Sequence, residues 1–186
     1  MIVLTHEDVA DLLPMTEAIE VVATVMKGVS ARTAQLPLRA IVPVGGDNKM
    51  GIMPGSIADP QCYGVKLVSL FPGNPAKGLS SHRGAIVLFE AETGAAVAMM
   101  DASLLTAVRT AAASAVATRA LAPEGAETLA LIGYGEQAEH HLEAMLAVRP
   151  IRQVAVAGRS AEKAAAFAEA AAKHHPGVRF TSGDDL

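Results

Sequence analysis

The chain has 186 residues, 51% of them hydrophobic but only 3% aromatic, so a core must be built from Ala, Val, Leu, Ile and Met, and the length allows one or two domains. A net charge of −4 with scattered basic residues argues against nucleic acid as the principal partner. The single Cys62 excludes an internal disulfide and a cysteine-based zinc cluster; with no membrane-length apolar run and no basic, signal-like stretch ahead of Ile2-Val3-Leu4, a cytoplasmic protein is expected.

Ile2–Leu4 is strand-like, and Thr5 is placed to cap a helix opening at His6-Glu7-Asp8, with Asp8 three residues on. Met15–Val29 carries Ile19, Val22, Val25, Met26 and Val29 at helical spacing. Between residues 36 and 99 the pattern changes to short apolar runs separated by Gly and Pro: Leu38–Val44, Met50–Met53, Gly64–Phe71, Ala85–Glu90 and Ala95–Met99. Such runs predict a mixed or antiparallel sheet with a hairpin at Glu92-Thr93-Gly94. Asp101 opens a long alanine-rich helix to about Leu121, which Pro123-Glu124-Gly125 terminates. A strand at Leu129–Ile132, a helix over Glu136–Val148, a strand at Gln153–Ala157, a helix near Ala161–His174 and a short strand at Val178–Thr181 complete the chain.

The most informative segment is Gly133-x-Gly135-x-x-Ala138, directly after the apolar strand ending at Ile132. Gly133 allows a tight turn, Gly135 lets backbone approach a pyrophosphate, and Ala138 lets the helix lie close to the strand while its first amides face the anion. Strand before and helix after supply the context that the bare glycine pattern lacks, and a nicotinamide dinucleotide is the expected cofactor. The predicted architecture is therefore α/β: an N-terminal α+β domain over 1–122, then a dinucleotide-binding domain over 126–186. A complete doubly wound domain has a second half of similar size, which these residues do not contain, so the chain is expected to be a fragment or a truncated product.

Few side chains stand out as chemistry-bearing. Lys66 lies in an apolar segment, on the face of Val68 and Leu70. It is either an exposed edge-strand residue or a charge held over a cleft for an acidic ligand. Arg39 is a solvated strand charge or a bidentate grip for a substrate carboxylate. Arg109 lies among small residues in the long helix, paired with an intramolecular carboxylate or with an anionic diphosphate. The loop from Phe71 to Gly84 is rich in turn formers, and Ser80, Ser81 and His82 there either donate to a ligand or meet water. His140-His141 and His174-His175 are adjacent pairs that point to different helix faces; they are read as solvated, and no metal site is expected. After the second motif strand, Ala157-Gly158-Arg159-Ser160 lacks the acid that receives a ribose 2′-hydroxyl in NAD sites. Arg159 and Ser160 suit a 2′-phosphate, so NADP is favoured over NAD unless Arg159 is a solvated loop charge.

Together these stretches resemble the ornithine cyclodeaminase/mu-crystallin family. The resemblance runs through Met53-Pro54, Tyr63-Gly-Val-Lys-Leu-Val, Phe71-Pro-Gly-Asn-Pro, Gly78-Leu-Ser-Ser-His-Arg-Gly, Glu92-Thr-Gly, Leu105-Thr-Ala-Val-Arg-Thr-Ala-Ala-Ala-Ser and Ile132-Gly-Tyr-Gly-Glu-Gln-Ala-Glu. It implies a homodimer whose N-terminal domain serves the substrate and dimerisation, joined to a Rossmann domain binding NAD(H) or NADP(H). By resemblance, Arg39 and Lys66 hold the substrate carboxylate, with Lys66 near the reacting nitrogen. Ser81 and Arg109 touch the cofactor, Arg109 on its phosphates, and Gly133, Gly135, Glu136 and Gln137 form the phosphate turn. The family's acidic catalytic residue would lie past residue 186. The leading implied activity is hydride transfer at the α-carbon of a small amino or imino acid, converting L-ornithine to L-proline and ammonia. The alternatives are NADPH-dependent reduction of a ketimine such as Δ1-pyrroline-2-carboxylate, alanine dehydrogenase chemistry, and a non-catalytic crystallin-like binding protein or inactive remnant.

Overall fold

A computed structural model describes residues 1–183. The chain divides into two compact units, one formed by Met1–Pro14 and Ala23–Thr106, the other by Met15–Val22 and Ala107–Leu186.

The first unit is built on a six-stranded sheet of β1 (Ile2–Leu4), β2 (Ala40–Gly45), β3 (Asn48–Ala58), β4 (Gln61–Leu70), β5 (His82–Glu90) and β6 (Ala96–Asp101). The strand order is β1-β6-β5-β4-β3-β2. The sheet is mixed, as expected: the meander β2 to β6 is antiparallel, and β1 pairs parallel with β6. Thr5 and Asp8 form a reciprocal capping box at the start of α1 (His6–Leu12). β3 runs further than the apolar pattern implied. β3 continues through Pro54, which sits in register with Val65. Ser56 exchanges both backbone bonds with Gln35 on the side away from β4. Pro54, two residues earlier, turns its nitrogen to that same side, past the point where β2 pairing ends at Ala40 and Ile52. The missing N–H therefore removes nothing from the β3–β4 ladder.

The hairpin between β5 and β6 is closed by Glu90. Its carboxylate accepts from the Thr93 hydroxyl and from the backbone N–H groups of Glu92, Thr93 and Ala95. Asp101 then ends β6 and caps α3 (Ala102–Leu121), accepting from the N–H groups of Ser103 and Leu104 at 2.9 and 3.1 Å.

The division between units passes through α2 (Met15–Ser30) and α3. In the second unit, β7 (Thr128–Ile132), β8 (Gln153–Ala157) and β9 (Arg179–Ser182) form a parallel sheet in that order. The strands alternate with α4 (Ala138–Val148) and α5 (Ala161–His174), giving the βαβαβ half of a doubly wound fold. Its core gathers Leu142, Val154, Val156, Ala164 and Ala168, with Phe167 and Phe180 packed against it. Among the described residues, no helix is long and apolar enough to cross a membrane.

Candidate functional site

On the first unit, β4 lies between β3 and β5, so Lys66 is on an interior strand; the edge-strand alternative does not hold. Its ammonium donates to Thr106 Oγ1 at 3.3 Å, a partly buried bond to the first turns of α3. Lys66 stands in register with Met53 on β3 and Ile86 on β5. Arg39 immediately precedes β2, whose pairing with β3 begins at Ala40 and Ile52, and it is exposed, whereas Lys66 is half-buried.

Ser81 lies in the loop before β5, which is internally braced. Asn74 Nδ2 donates to the Ser80 carbonyl, Ser80 Oγ to the His82 carbonyl, and Phe71 N–H to the Ser81 carbonyl. The Ser81 hydroxyl lies 2.8 Å from His82 Nδ1. A recess of about 760 Å³ on this unit lies elsewhere, beside the Asp59-Pro60 end of β3 and β4. Its lining, which includes Gln35, Cys62 and Tyr63, holds no charged side chain and does not include Lys66, so it offers an acidic substrate no counter-charge.

On the second unit, the chain leaves β7 through Gly133, whose φ of +112° only glycine adopts without strain. Its N–H donates to the Ala157 carbonyl at 2.8 Å, tying the ends of β7 and β8 together. A Cβ at Gly135 would meet nothing, so the turn is open on its outer side. The predicted helix over Glu136–Val148 begins two residues later than expected. Gln137 has helical angles as N-cap, and the Ala138 N–H turns back to the Gly135 carbonyl at 2.9 Å. Glu136 and Gln137 therefore belong to the turn itself. Buried Ala138 gives the close helix–strand approach expected of it. A cleft of about 320 Å³ lies over Ile132, Gly133, Gly135, Gln137 and His141.

His141 corrects the reading of that histidine pair as solvated. It lies three residues past buried Ala138, on the side of α4 that meets α3, a spacing visible in the sequence. Its Nδ1 is 2.8 Å from the Gln137 carbonyl and its Nε2 3.1 Å from Ser114 Oγ on α3. Arg109 falls outside the buried stripe of Ala107, Val108, Ala111, Ala112 and Ala115 on α3 and is exposed. Arg159 is exposed after β8, while Ser160 caps α5, its hydroxyl accepting from the Lys163 N–H at 3.3 Å. Tyr134, which sequence reasoning passed over, bridges from the glycine turn to this loop: its phenol oxygen accepts from the Ser160 N–H at 2.9 Å. No cluster of three or more His, Cys, Asp or Glu suited to a metal exists among the described residues.

The open glycine turn, the positive φ at Gly133 and the cleft above them fit a dinucleotide diphosphate. The sequence profile of the ornithine cyclodeaminase/mu-crystallin family matches residues 1–184. The chain belongs to this family. It is 36% identical over 170 residues to a Δ1-pyrroline-2-carboxylate reductase of Bacillus cereus, covering 91% of this chain and 52% of that relative. The structure of Thermococcus litoralis Δ1-pyrroline-2-carboxylate reductase in complex with NADH and L-proline superposes with a TM-score of 0.91 at 35% identity, over 98% of this chain and 57% of that one. An archaeal alanine dehydrogenase dimer with bound NAD gives a TM-score of 0.90 at 30% identity, over 98% of this chain and 56% of that one. The chain spans about half the length of the curated relatives it matches. These relatives favour the reductase alternative over the cyclodeaminase reading that led on sequence alone.

Proposed function

We propose that the chain is part of an NAD(P)H-dependent reductase of small cyclic imino acids of the Δ1-pyrroline-2-carboxylate type. The observation that carries this reading is Lys66, a lysine on an interior strand whose ammonium is steered by Thr106. The similar relatives named for this reaction support it. The first unit supplies the groups for the substrate. Arg39 holds the carboxylate, and the Lys66 ammonium faces the imine nitrogen, where it stabilises and supplies the proton that the nitrogen gains. The second unit supplies the dinucleotide turn of Gly133, Gly135, Glu136 and Gln137. Glu136 serves through its backbone, because its carboxylate would repel a diphosphate. Arg109 neutralises diphosphate charge, Ser81 contacts the cofactor, and Arg159 and Ser160 meet the adenosine ribose. When bound, NADH or NADPH supplies the hydride that reduces the imine carbon. Hydride and proton together convert the C=N bond to the secondary amine of an L-proline-type product. Working units are homodimers, as in the alanine dehydrogenase relative.

The test is an assay of the protein with Δ1-pyrroline-2-carboxylate and NADH or NADPH, following both cofactor oxidation and L-proline formation. Ammonia release from L-ornithine with no reduction of pyrroline-2-carboxylate would return the protein to cyclodeaminase chemistry. Oxidation of L-alanine alone would make it a dehydrogenase.

A further inference from the structure

Tyr134 and the loop after β8 are built against each other. The ring lies on the backbone of Gly158, where a Cβ would stand 2.4 Å from Cε1 and 3.1 Å from both Cδ1 and Cζ, so only glycine allows the ring this close. The phenol oxygen faces the Ser160 amide at 2.9 Å, at the first residue of the α5 cap. That amide points out of the carboxyl end of a parallel strand at a helix start, the kind of donor an anion's oxygen occupies. Here a neutral side-chain oxygen already stands at hydrogen-bond distance in front of it. The Ser160 hydroxyl is likewise engaged as acceptor for Lys163, and Glu162, in the first turn of α5, adds a negative charge close by.

We propose that Tyr134 sets the cofactor preference: its phenol stands in for the phosphate oxygen that NADP(H) would bring to the Ser160 amide, so the site takes the 2′-hydroxyl of NAD(H). This rests on the dinucleotide reading of the glycine turn above. It reverses the preference that Arg159 and Ser160 suggest when read without their neighbours. The exposed Arg159 guanidinium remains near the ribose but lacks the backbone donor that would complete a phosphate cradle. A phenol oxygen, by contrast, can accept from or donate to a ribose hydroxyl without displacement.

Fluorescence titration of the protein with NADH and NADPH separates the outcomes, with Tyr134→Phe and Tyr134→Ala as variants and circular dichroism as the folding check. The unsubstituted protein is expected to bind NADH more tightly than NADPH. Removing the oxygen frees a hydrogen bond to a charged acceptor and should improve NADPH binding relative to NADH by roughly 10-fold, with a larger gain in the alanine variant. NADPH binding weakened by Tyr134→Phe would make the phenol a phosphate donor and overturn the proposal. So would an unsubstituted protein that prefers NADPH, or a preference unchanged in both folded variants. Failure of the folded, unsubstituted protein to bind either cofactor would remove the dinucleotide reading itself, and this inference with it.

Discussion

Lys66 Nζ and Thr106 Oγ1 meet at 3.3 Å, joining the middle of β4 to the first turns of α3. A lysine chain has four rotatable carbons, and a fixed hydroxyl partner narrows where its ammonium can go. If that ammonium serves the imino acid, Lys66→Met should lower kcat/KM for Δ1-pyrroline-2-carboxylate by roughly 100-fold, the cost of a charge-assisted hydrogen bond, while the Kd for NADH stays unchanged. Thr106→Val should act in the same direction but only about threefold to tenfold, since the charge remains and only its aim is loosened. Steady-state kinetics alongside cofactor titration check both. A Lys66→Met protein with full kcat/KM would remove Lys66 from the reaction.

Gly133 offers a separate test on the second unit. At φ +112°, any side chain strains the backbone, so Gly133→Ala should destabilise this unit by about 1–3 kcal/mol. The strain falls on the turn that bonds to the Ala157 carbonyl, so the loss should be accompanied by at least about 10-fold weaker NADH binding. Gly135→Ala is the matched control. Its Cβ meets no protein atom, so stability should hold while dinucleotide binding falls. NADH affinity in both variants equal to that of the unsubstituted protein would show that the diphosphate does not use this turn.

Much of this arrangement was legible in the residues because local rules and global fold agree. The glycine turn announced itself through an apolar strand, and the Thr5 cap and Glu92-Thr93-Gly94 hairpin through their turn chemistry. Asp101 as helix opener was equally readable. What escaped depends on contacts distant in sequence. Thr106 is forty residues from the lysine it orients. Tyr134 reaches a loop twenty-six residues on, and only the absent Cβ of Gly158 gives it room. His141 carried a readable signal in its spacing from Ala138, but its bond to Ser114 crosses between helices. The extension of β3 through Pro54 was hidden because a proline normally ends a strand, and only the ladder shows which edge its nitrogen faces.

Arg149 is another residue whose role only the fold reveals. It is 8% exposed, and its guanidinium donates to the carbonyls of Pro123, Val148, Thr118, Arg119 and Ala122 at 2.7–2.9 Å. It thus satisfies the end of α3 and its own end of α4, with a positive charge set against the negative pole of both helices. Arg149→Met leaves these acceptors without their donor and should cost about 2–4 kcal/mol, read as a lower urea midpoint at unchanged slope. Arg149→Lys should recover only part of the loss, because an ammonium has three donors and no planar fork. A midpoint unmoved by Arg149→Met would mean that water takes over all five carbonyls.

Glu90 makes an acid-limb prediction. Its bond from the Thr93 hydroxyl, followed by those from the backbone N–H groups of Ala95 and Glu92, holds its carboxyl down from an ordinary 4.5 to about 2. The folded state therefore binds this proton less readily than the unfolded chain. Glu90's contribution to stability is complete above about pH 4.5 and is lost as pH falls toward 2. Glu90→Gln keeps the shape but cannot ionise, so its stability should vary less with pH across that window while the two proteins behave alike in shape of profile above it. Urea unfolding at pH steps over roughly 2.5 to 6 provides the profile. Carboxyl chemical shifts of Glu90 followed by NMR give the midpoint directly. A Glu90 midpoint near 4.5 would show that the hairpin bonds do not persist in solution.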